Sequence, residues 1–239
     1  GMCRVSGGEF HGMTLREFVE KFPESTGKNS LGNIPVLVKL IDAKENLSLQ
    51  VHPDNDYARQ FEGDNGKTEA WYIVDCEENA SIIYGFKENL TKEDFRRAIA
   101  ENTLHEKVNT IAVKKGDVFL IRAGMLHAIC KGCLIAEIQQ SSNVTYRVYD
   151  YGRVDDNGNT RELHIEKGVE AANCSKIANR EIRFLDDETR LLAECEYFIV
   201  KEVPFPFSDS TSIFPLSFSI IDFDNDKPIP TLSLLAYVP

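Results

Sequence analysis

Long apolar runs are missing from this chain, and so is the charged, apolar and small-residue succession of a secretory leader. Neither a membrane-spanning helix nor export is therefore expected, and the sequence reads as cytoplasmic. Basic charge is also scarce: 27 Lys and Arg stand against 38 Asp and Glu, a formal charge of -11. That balance argues against a nucleic-acid groove or an anionic membrane surface as partner, since both want clustered Lys and Arg. An anionic substrate would need a local basic pocket. The six cysteines, Cys3, Cys76, Cys130, Cys133, Cys174 and Cys195, are too scattered for a disulfide framework and read as reduced thiols. Cys130-Lys131-Gly132-Cys133 brings two of them together. Without a second such pair it makes a poor zinc site, and its Lys-Gly centre reads as a hairpin turn. No repeat of fixed short period and no low-complexity run appears.

What is present is mostly strand. "MTLREFVEKFP" carries Thr14 and Glu17 as a capping box, with Leu15, Phe18, Val19 and Phe22 on one face, and predicts a short helix stopped by Pro23. After the loop "STGKNSLGN", the stretches "IPVLVKLIDA" and "NLSLQVH" read as strands separated by a polar turn, and "DNDYARQF" as one or two helical turns. "EAWYIVDC" and "ASIIYGF" read as strands, and "LTKEDFRRAIAEN" as a helix capped at Thr91 with Phe95, Ala98 and Ile99 inward. From there "KVNTIAV", "DVFLIRA", "HAIC", "CLIAEIQQ" and "TYRVYDY" continue as short strands to Asp150. So many short strands with turn signals between them point to a β-barrel or sandwich rather than βαβ units. A further β-rich segment punctuated by proline follows, "EYFIVKEVPFPF" to "FPLSFSIIDF".

Histidine is rare enough to weigh residue by residue. His11 and His105 lie in polar, loop-like or helix-end contexts, and His164, in "TRELHIEKG", where strand alternation or a helix start both fit, reads as structural. His52 closes an alternating strand on which Ser48, Gln50 and His52 point one way while Leu47, Leu49 and Val51 point the other. His127 closes "GDVFLIRAGMLHA". Its spacing, Gly116, five residues, Arg122 where Pro is usual, then Gly124 and His127, resembles the second signature of the cupin barrels, and His52 with Glu69 resembles the first. Two imidazoles, a carboxylate and an amide oxygen suit a divalent first-row metal, Zn, Fe, Mn, Co or Ni. A single strand histidine is more often a satisfied core or surface group, and it is the combination of ligand types on consecutive strands that points to metal.

The segments "LSLQVHPD", "GKTEAWYI", "IRAGMLHAICKG" and "EIQQSSNVTYRVYDYGR", followed by "RELHIEKGVEAA", resemble the type I mannose-6-phosphate isomerases in their short bacterial form. They cover about residues 34 to 172. The resemblance implies His52, Glu69 and His127 as ligands of one divalent ion, Zn by expectation, with Gln50 added in some members. It also implies Arg147 as an active-site arginine and Lys67 and Glu137 as polar groups lining the pocket. Ser48, Lys39 and Arg153 stand where the family places groups for the sugar phosphate. The reaction implied moves a proton between C1 and C2 of an aldose or ketose phosphate through an enediol, so charge develops on the carbonyl oxygen. A guanidinium stays protonated, so Arg147 would stabilise charge or hold substrate. A carboxylate, a lysine of lowered pKa or metal-bound water could each be the base.

The expected fold is mainly β: a jelly-roll-like cupin barrel at residues 34–172 with a few short helices, a helical lead-in at 1–33, and a partial second cupin at 173–239. The family places further strands before the equivalent of residue 9 and completes a second barrel after the equivalent of residue 239. Strand edges left bare would pair with another chain, so a homodimer or a rearranged C-terminal segment is expected. Two other readings accompany the isomerase. A sugar-phosphate-binding cupin without turnover would share every residue and differ only in an assay. A cupin oxygenase would share the two histidines and the carboxylate but has no use for Lys67, Arg147 and the phosphate groups.

Overall fold

The structure is a computed structural model and describes residues 4–22, 36–155, 157–177, 183–184, 190–202, 213–222, 227–228 and 232–237. The loop expected at 25–33 and the Pro-Phe stretch at 203–207 lie outside the described residues. The chain divides into two units, one of residues 37–181 and one of residues 1–36 with 182–239.

In the second of these, α1 (Leu15–Lys21) starts as the sequence requires. Thr14 Oγ1 accepts from the Glu17 backbone N–H at 3.2 Å, and the Glu17 carboxylate accepts from the Thr14 N–H at 2.7 Å. Each side chain thus satisfies one orphan donor of the first turn.

The other unit is built, in chain order, from β1 (Val36–Asp42), β2 (Leu49–Val51), α2 (Asn55–Phe61), β3 (Glu69–Cys76), β4 (Ser81–Phe86), α3 (Lys92–Ala100), α4 (Leu104–Lys107), β5 (Val108–Ala112), β6 (Val118–Ile121), β7 (His127–Ile129), β8 (Cys133–Gln140), β9 (Tyr146–Tyr149) and α5 (Ile165–Ala171). Four strands form a sheet in the order β1-β8-β3-β6 and five form another in the order β5-β4-β7-β2-β9. Trp71, Ile73, Phe119 and Ile135 from the first meet Ile82, Tyr84 and Ile129 from the second in one buried cluster. The two sheets therefore close face to face over a shared core, the jelly-roll-like barrel expected of this pattern. α3, α4 and α5 cover the outside of the five-stranded sheet, where Phe95, Ala98, Leu104 and Val169 pack on Leu49, Val51, Ile83 and Val148.

Inside the barrel the side chains change character from one end to the other. In the antiparallel register of β3 and β8, Ile73 faces Ile135, Trp71 faces Glu137 and Glu69 faces Gln139. Period-two alternation keeps these rows on one face, so an apolar half gives way within two rows to a buried polar half.

Two local readings differ from the structure. Lys131-Gly132 is a turn, but β7 and β8 belong to different sheets, so the turn carries the chain across the barrel and makes no hairpin. Turn residues specify how the backbone bends and leave open whether the flanking strands pair. The short α4 was not anticipated, and at His164, where strand alternation and a helix start both fit, the chain starts the helix α5. α5 carries Gly168 in its middle, which weakens the helical signal. Cys76, Cys130, Cys133, Cys174 and Cys195 are free thiols, and no helix among the described residues is long and apolar enough to cross a membrane.

The remaining strands are β10 (Arg183–Phe184), β11 (Arg190–Glu194), β12 (Phe198–Glu202), β13 (Ile213–Asp222), β14 (Lys227–Pro228) and β15 (Leu232–Tyr237). They form an antiparallel sheet in the order β10-β11-β12-β13-β14, with β15 also paired to β13.

Candidate metal centre

The polar half of the barrel is organised by register. Gln50 on β2 lies opposite His127 on β7 and opposite Arg147 on β9. One inward row therefore runs His127, Gln50, Arg147 across three strands. His52 leaves the end of β2 two residues beyond Gln50, and Glu69 opens β3 on the facing sheet. Gly124 makes the bend that delivers His127. Its φ of +83° and the Ala171 carbonyl 3.1 Å from where a Cβ would sit leave little room for any other residue.

His52, Glu69 and His127 are all but fully buried, and their ligand atoms lie within 4.8 Å of one another. His52 Nε2 is 3.2 Å from His127 Nε2. Glu69 Oε2 is 3.6 Å from the first and Oε1 3.4 Å from the second. Each imidazole is oriented from behind by a backbone carbonyl: Nδ1 of His52 lies 2.9 Å from Val144 O, and Nδ1 of His127 lies 2.8 Å from Met125 O. A carbonyl only accepts, so both rings carry the proton on Nδ1 and turn an Nε2 lone pair to the centre.

The electrostatics agree. Burial, helped by the Lys67 and His127 charges, drives His52 well below the ordinary histidine value. Burial drives His127 down to about 4 against the opposing Met125 carbonyl. Burial and the nearby Glu137 raise Glu69 to about 7 despite Lys67. Among the described residues Glu69 Oε1 has no hydrogen-bond donor, and Oε2 faces only the Lys67 ammonium, 3.0 Å away. Two neutral imidazoles and a carboxylate thus present only electron pairs to one another. That donor set fits a divalent cation, with a carbonyl behind each imidazole fixing its tautomer as metal sites require.

Among the described residues, Lys67 is the cation that enters the group. Its Nζ lies 3.0 Å from Glu69 Oε2 and 3.1 Å from His52 Nε2. Glu137 adjoins on the next strand, its Oε2 accepting from Trp71 Nε1 at 3.2 Å and its Oε1 from Lys39 Nζ at 2.9 Å. Lys39 also reaches Gln139 Oε1 at 2.5 Å. Lys39 is thus tied to the wall of the polar half, with its side chain 39% exposed. Arg147 donates from Nη1 to Glu162 O at 2.9 Å. Ser48 is buried four residues before His52. Arg153 is engaged elsewhere: it pairs with Asp150 and donates to Asn46 O at 2.6 Å.

The structure thus brings His52, Glu69, His127 and Lys67 into contact and places Gln50 and Arg147 in their row and Glu137 with Lys39 beside them. It sets Ser48 and Arg153 toward the other end of β2. His11 and His105 are exposed, and His164 precedes α5, with its Nδ1 3.4 Å from the Arg147 N–H. Trp71, Gln139 and Arg161, which pairs with Asp150, escaped sequence reasoning. Strand alternation placed Trp71 and Gln139 on the inward face, and their partners depend on strand order.

A family model for the phosphomannose isomerase type I catalytic domain matches residues 1–78. A probable mannose-6-phosphate isomerase of Bacillus subtilis is 42% identical over 205 residues, 84% of this chain and 65% of the relative. A mannose-6-phosphate isomerase of Streptococcus mutans is 42% identical over 203 residues, 84% of this chain and 64% of the relative. The chain therefore spans just under two thirds of the length of these relatives. Among solved structures, a mannose 6-phosphate isomerase from Bacillus subtilis superposes with a TM-score of 0.71 at 38% identity, covering 91% of this chain and 66% of that one. A phosphomannose isomerase variant from Salmonella typhimurium, 13% identical with a TM-score of 0.66, shares the fold.

Proposed function

This chain belongs to the type I phosphomannose isomerase family, and on that premise we propose that it interconverts mannose 6-phosphate and fructose 6-phosphate through an enediol. The observation that carries the reading is the buried group of acceptors, two Nε2 atoms 3.2 Å apart with the Glu69 carboxylate at 3.4 and 3.6 Å. The ion is proposed to be zinc, held by His52, Glu69 and His127 with Gln50 beside them. Such an ion, when bound, supplies Lewis acidity to an oxygen on which negative charge develops.

The remaining roles belong to the chain. Arg147, level with Gln50 in the sheet, keeps its proton and offers fixed positive charge to the enediolate oxygens. Lys67, buried against Glu69 and His52, and Glu137, anchored by Trp71 and Lys39, are the groups assigned to proton handling near C1 and C2. Ser48, Lys39 and Arg153 are assigned to the sugar and its phosphate. Support for this division comes from their positions: the first three adjoin the ligand cluster, and Ser48 and Arg153 lie further along β2.

Elemental analysis of the purified protein, followed by a coupled isomerase assay with and without chelator, tests the reading. One equivalent of zinc and chelator-sensitive turnover are expected. Bound metal without isomerisation would leave a binding protein, and iron with oxygen uptake would sink the isomerase.

A further inference from the structure

Two arginines meet on one buried acid at the end of β9, and a third lies near them. Asp150, 5% exposed, accepts from Arg161 through both oxygens, Nε to Oδ2 at 2.7 Å and Nη2 to Oδ1 at 2.5 Å. The guanidinium of Arg153 pairs with the same Oδ1. Arg147 lies close enough for the charges of Arg161, Asp150 and Arg153 to act on it, and it is bonded to the carbonyl of Glu162, the residue after Arg161. Two N–H groups of the cluster, Arg147 Nε and Arg153 Nε, are buried and find no acceptor among the described residues.

One carboxylate against three guanidiniums is a local positive surplus in a chain of net charge -11. The arginines of α3 are neutralised, in contrast: Arg96 faces Glu93, Glu166 and Glu170, and Arg97 faces Asp94. The surplus is also placed. β9 runs antiparallel to β2 with Tyr149 opposite Leu49, so Asp150 falls level with Ser48. His52 is four residues further along, roughly 13 Å of strand. Asp150 and the Arg153 and Arg161 paired with it therefore lie toward the end of the inward row remote from the ligand trio, where the far end of a substrate held at His52 would reach.

Resting on the isomerase reading above, we propose that Arg161 is a positioning residue for the substrate's phosphate, occupying Asp150 so that Arg153 keeps its charge for a dianion. With Asp150 alone for partner, Arg153 would form a neutral pair and a phosphate would have to compete with that carboxylate. Arg161 engages Asp150 through two parallel bonds, the strongest geometry a guanidinium and a carboxylate can adopt. The set of Arg153, Asp150 and Arg161 then keeps one positive charge to set against a phosphate monoester, which is anionic near neutral pH.

The test uses the full, metal-loaded chain and two variants, Arg161→Ala and the double variant Arg161→Ala with Asp150→Asn. The Arg161 side chain is 50% exposed, so its removal leaves the barrel core untouched, and unchanged metal content verifies this. Direct calorimetric titration with inorganic phosphate is read beside KM and kcat for mannose 6-phosphate. Arg161→Ala should weaken phosphate and raise KM by about ten- to a hundred-fold, with kcat changing much less. The double variant, having lost the charge that Arg161 offsets, should regain most of the phosphate affinity. Unchanged phosphate affinity in the single variant overturns the proposal, as does failure of the double variant to recover, which would place Arg161 on the phosphate itself. If the parent chain isomerises nothing, the isomerase reading falls, and the phosphate titration still decides the role of Arg161.

Discussion

At the residue scale, what separates His52 and His127 from the other histidines is the carbonyl behind each ring. Val144 O and Met125 O fix both Nδ1 protons and so leave both Nε2 atoms as acceptors. Lys67, from outside the trio, reaches His52 Nε2 at 3.1 Å. Ligation and charge stabilisation should therefore come apart on mutation. His127→Ala deletes a ligand, and elemental analysis should find metal and turnover lost together. Arg147→Ala touches no ligand, so metal should stay while kcat falls by about 10²–10³-fold, the usual effect of removing one preorganised donor from a developing oxyanion. Metal loss from the Arg147 variant would show that the arginine supports the centre rather than the reaction.

At the scale of elements, α5 and α2 frame the strand that carries Arg147. Gly168 of α5 packs so closely on β9 that a Cβ there would lie 2.4 Å from Val148 Cγ1. Val148 is fully buried and its methyl cannot swing aside. Gly168→Ala would gain about 1 kcal/mol of helix propensity but overpack the helix–sheet contact by about 1–3 kcal/mol. A lower thermal midpoint is expected. α2 is tied to the same region through Glu62, which accepts from Lys167 Nζ at 2.7 Å and Tyr146 Oη at 2.9 Å. The Lys167 and Tyr146 hydrogen bonds hold the Glu62 carboxyl below its ordinary value. Because the folded value is depressed, its stabilisation is complete above the unfolded value of about 4.3 and is lost as pH falls through the lower folded one. Urea midpoints of the parent chain and Glu62→Gln should differ by the equivalent of about 1 kcal/mol at pH 7 and converge as pH falls through the depressed folded value. These ties also mark where the sequence stops being legible. Alternation showed that Ser48, Gln50 and His52 share a face, and ligand spacing singled out Glu69 and His127. Backbone carbonyls have no signature in a sequence, so the partners of the Nδ1 atoms were invisible. The Lys39, Glu137 and Trp71 contacts and the Arg161 pair depend on which strands and loops become neighbours, and local pattern says nothing of that.

For the molecule as a whole, the barrel encloses one polar half that its own chain does not satisfy. Lys67 is the only cation among the five residues His52, Lys67, Glu69, His127 and Glu137, all at most 5% exposed. Burying a carboxylate without full compensation is costly, which is why Glu69 is pushed up to about 7. A cation bound among the three acceptors offsets that cost only in the folded state, since the ligands come from β3, β7 and the end of β2. Metal present at a hundred times its dissociation constant should therefore stabilise the fold by about 2.7 kcal/mol. For a unit of this size that corresponds to roughly 5–10 °C in the unfolding midpoint. Calorimetric scans with and without chelator should show that difference in the parent chain, and adding zinc back should restore it. The Arg147→Ala protein should show the same chelator-dependent shift. The His127→Ala protein should show none, because its midpoint already lacks the metal's contribution. A shift that persisted in the His127 variant would mean that the stabilising ion binds elsewhere.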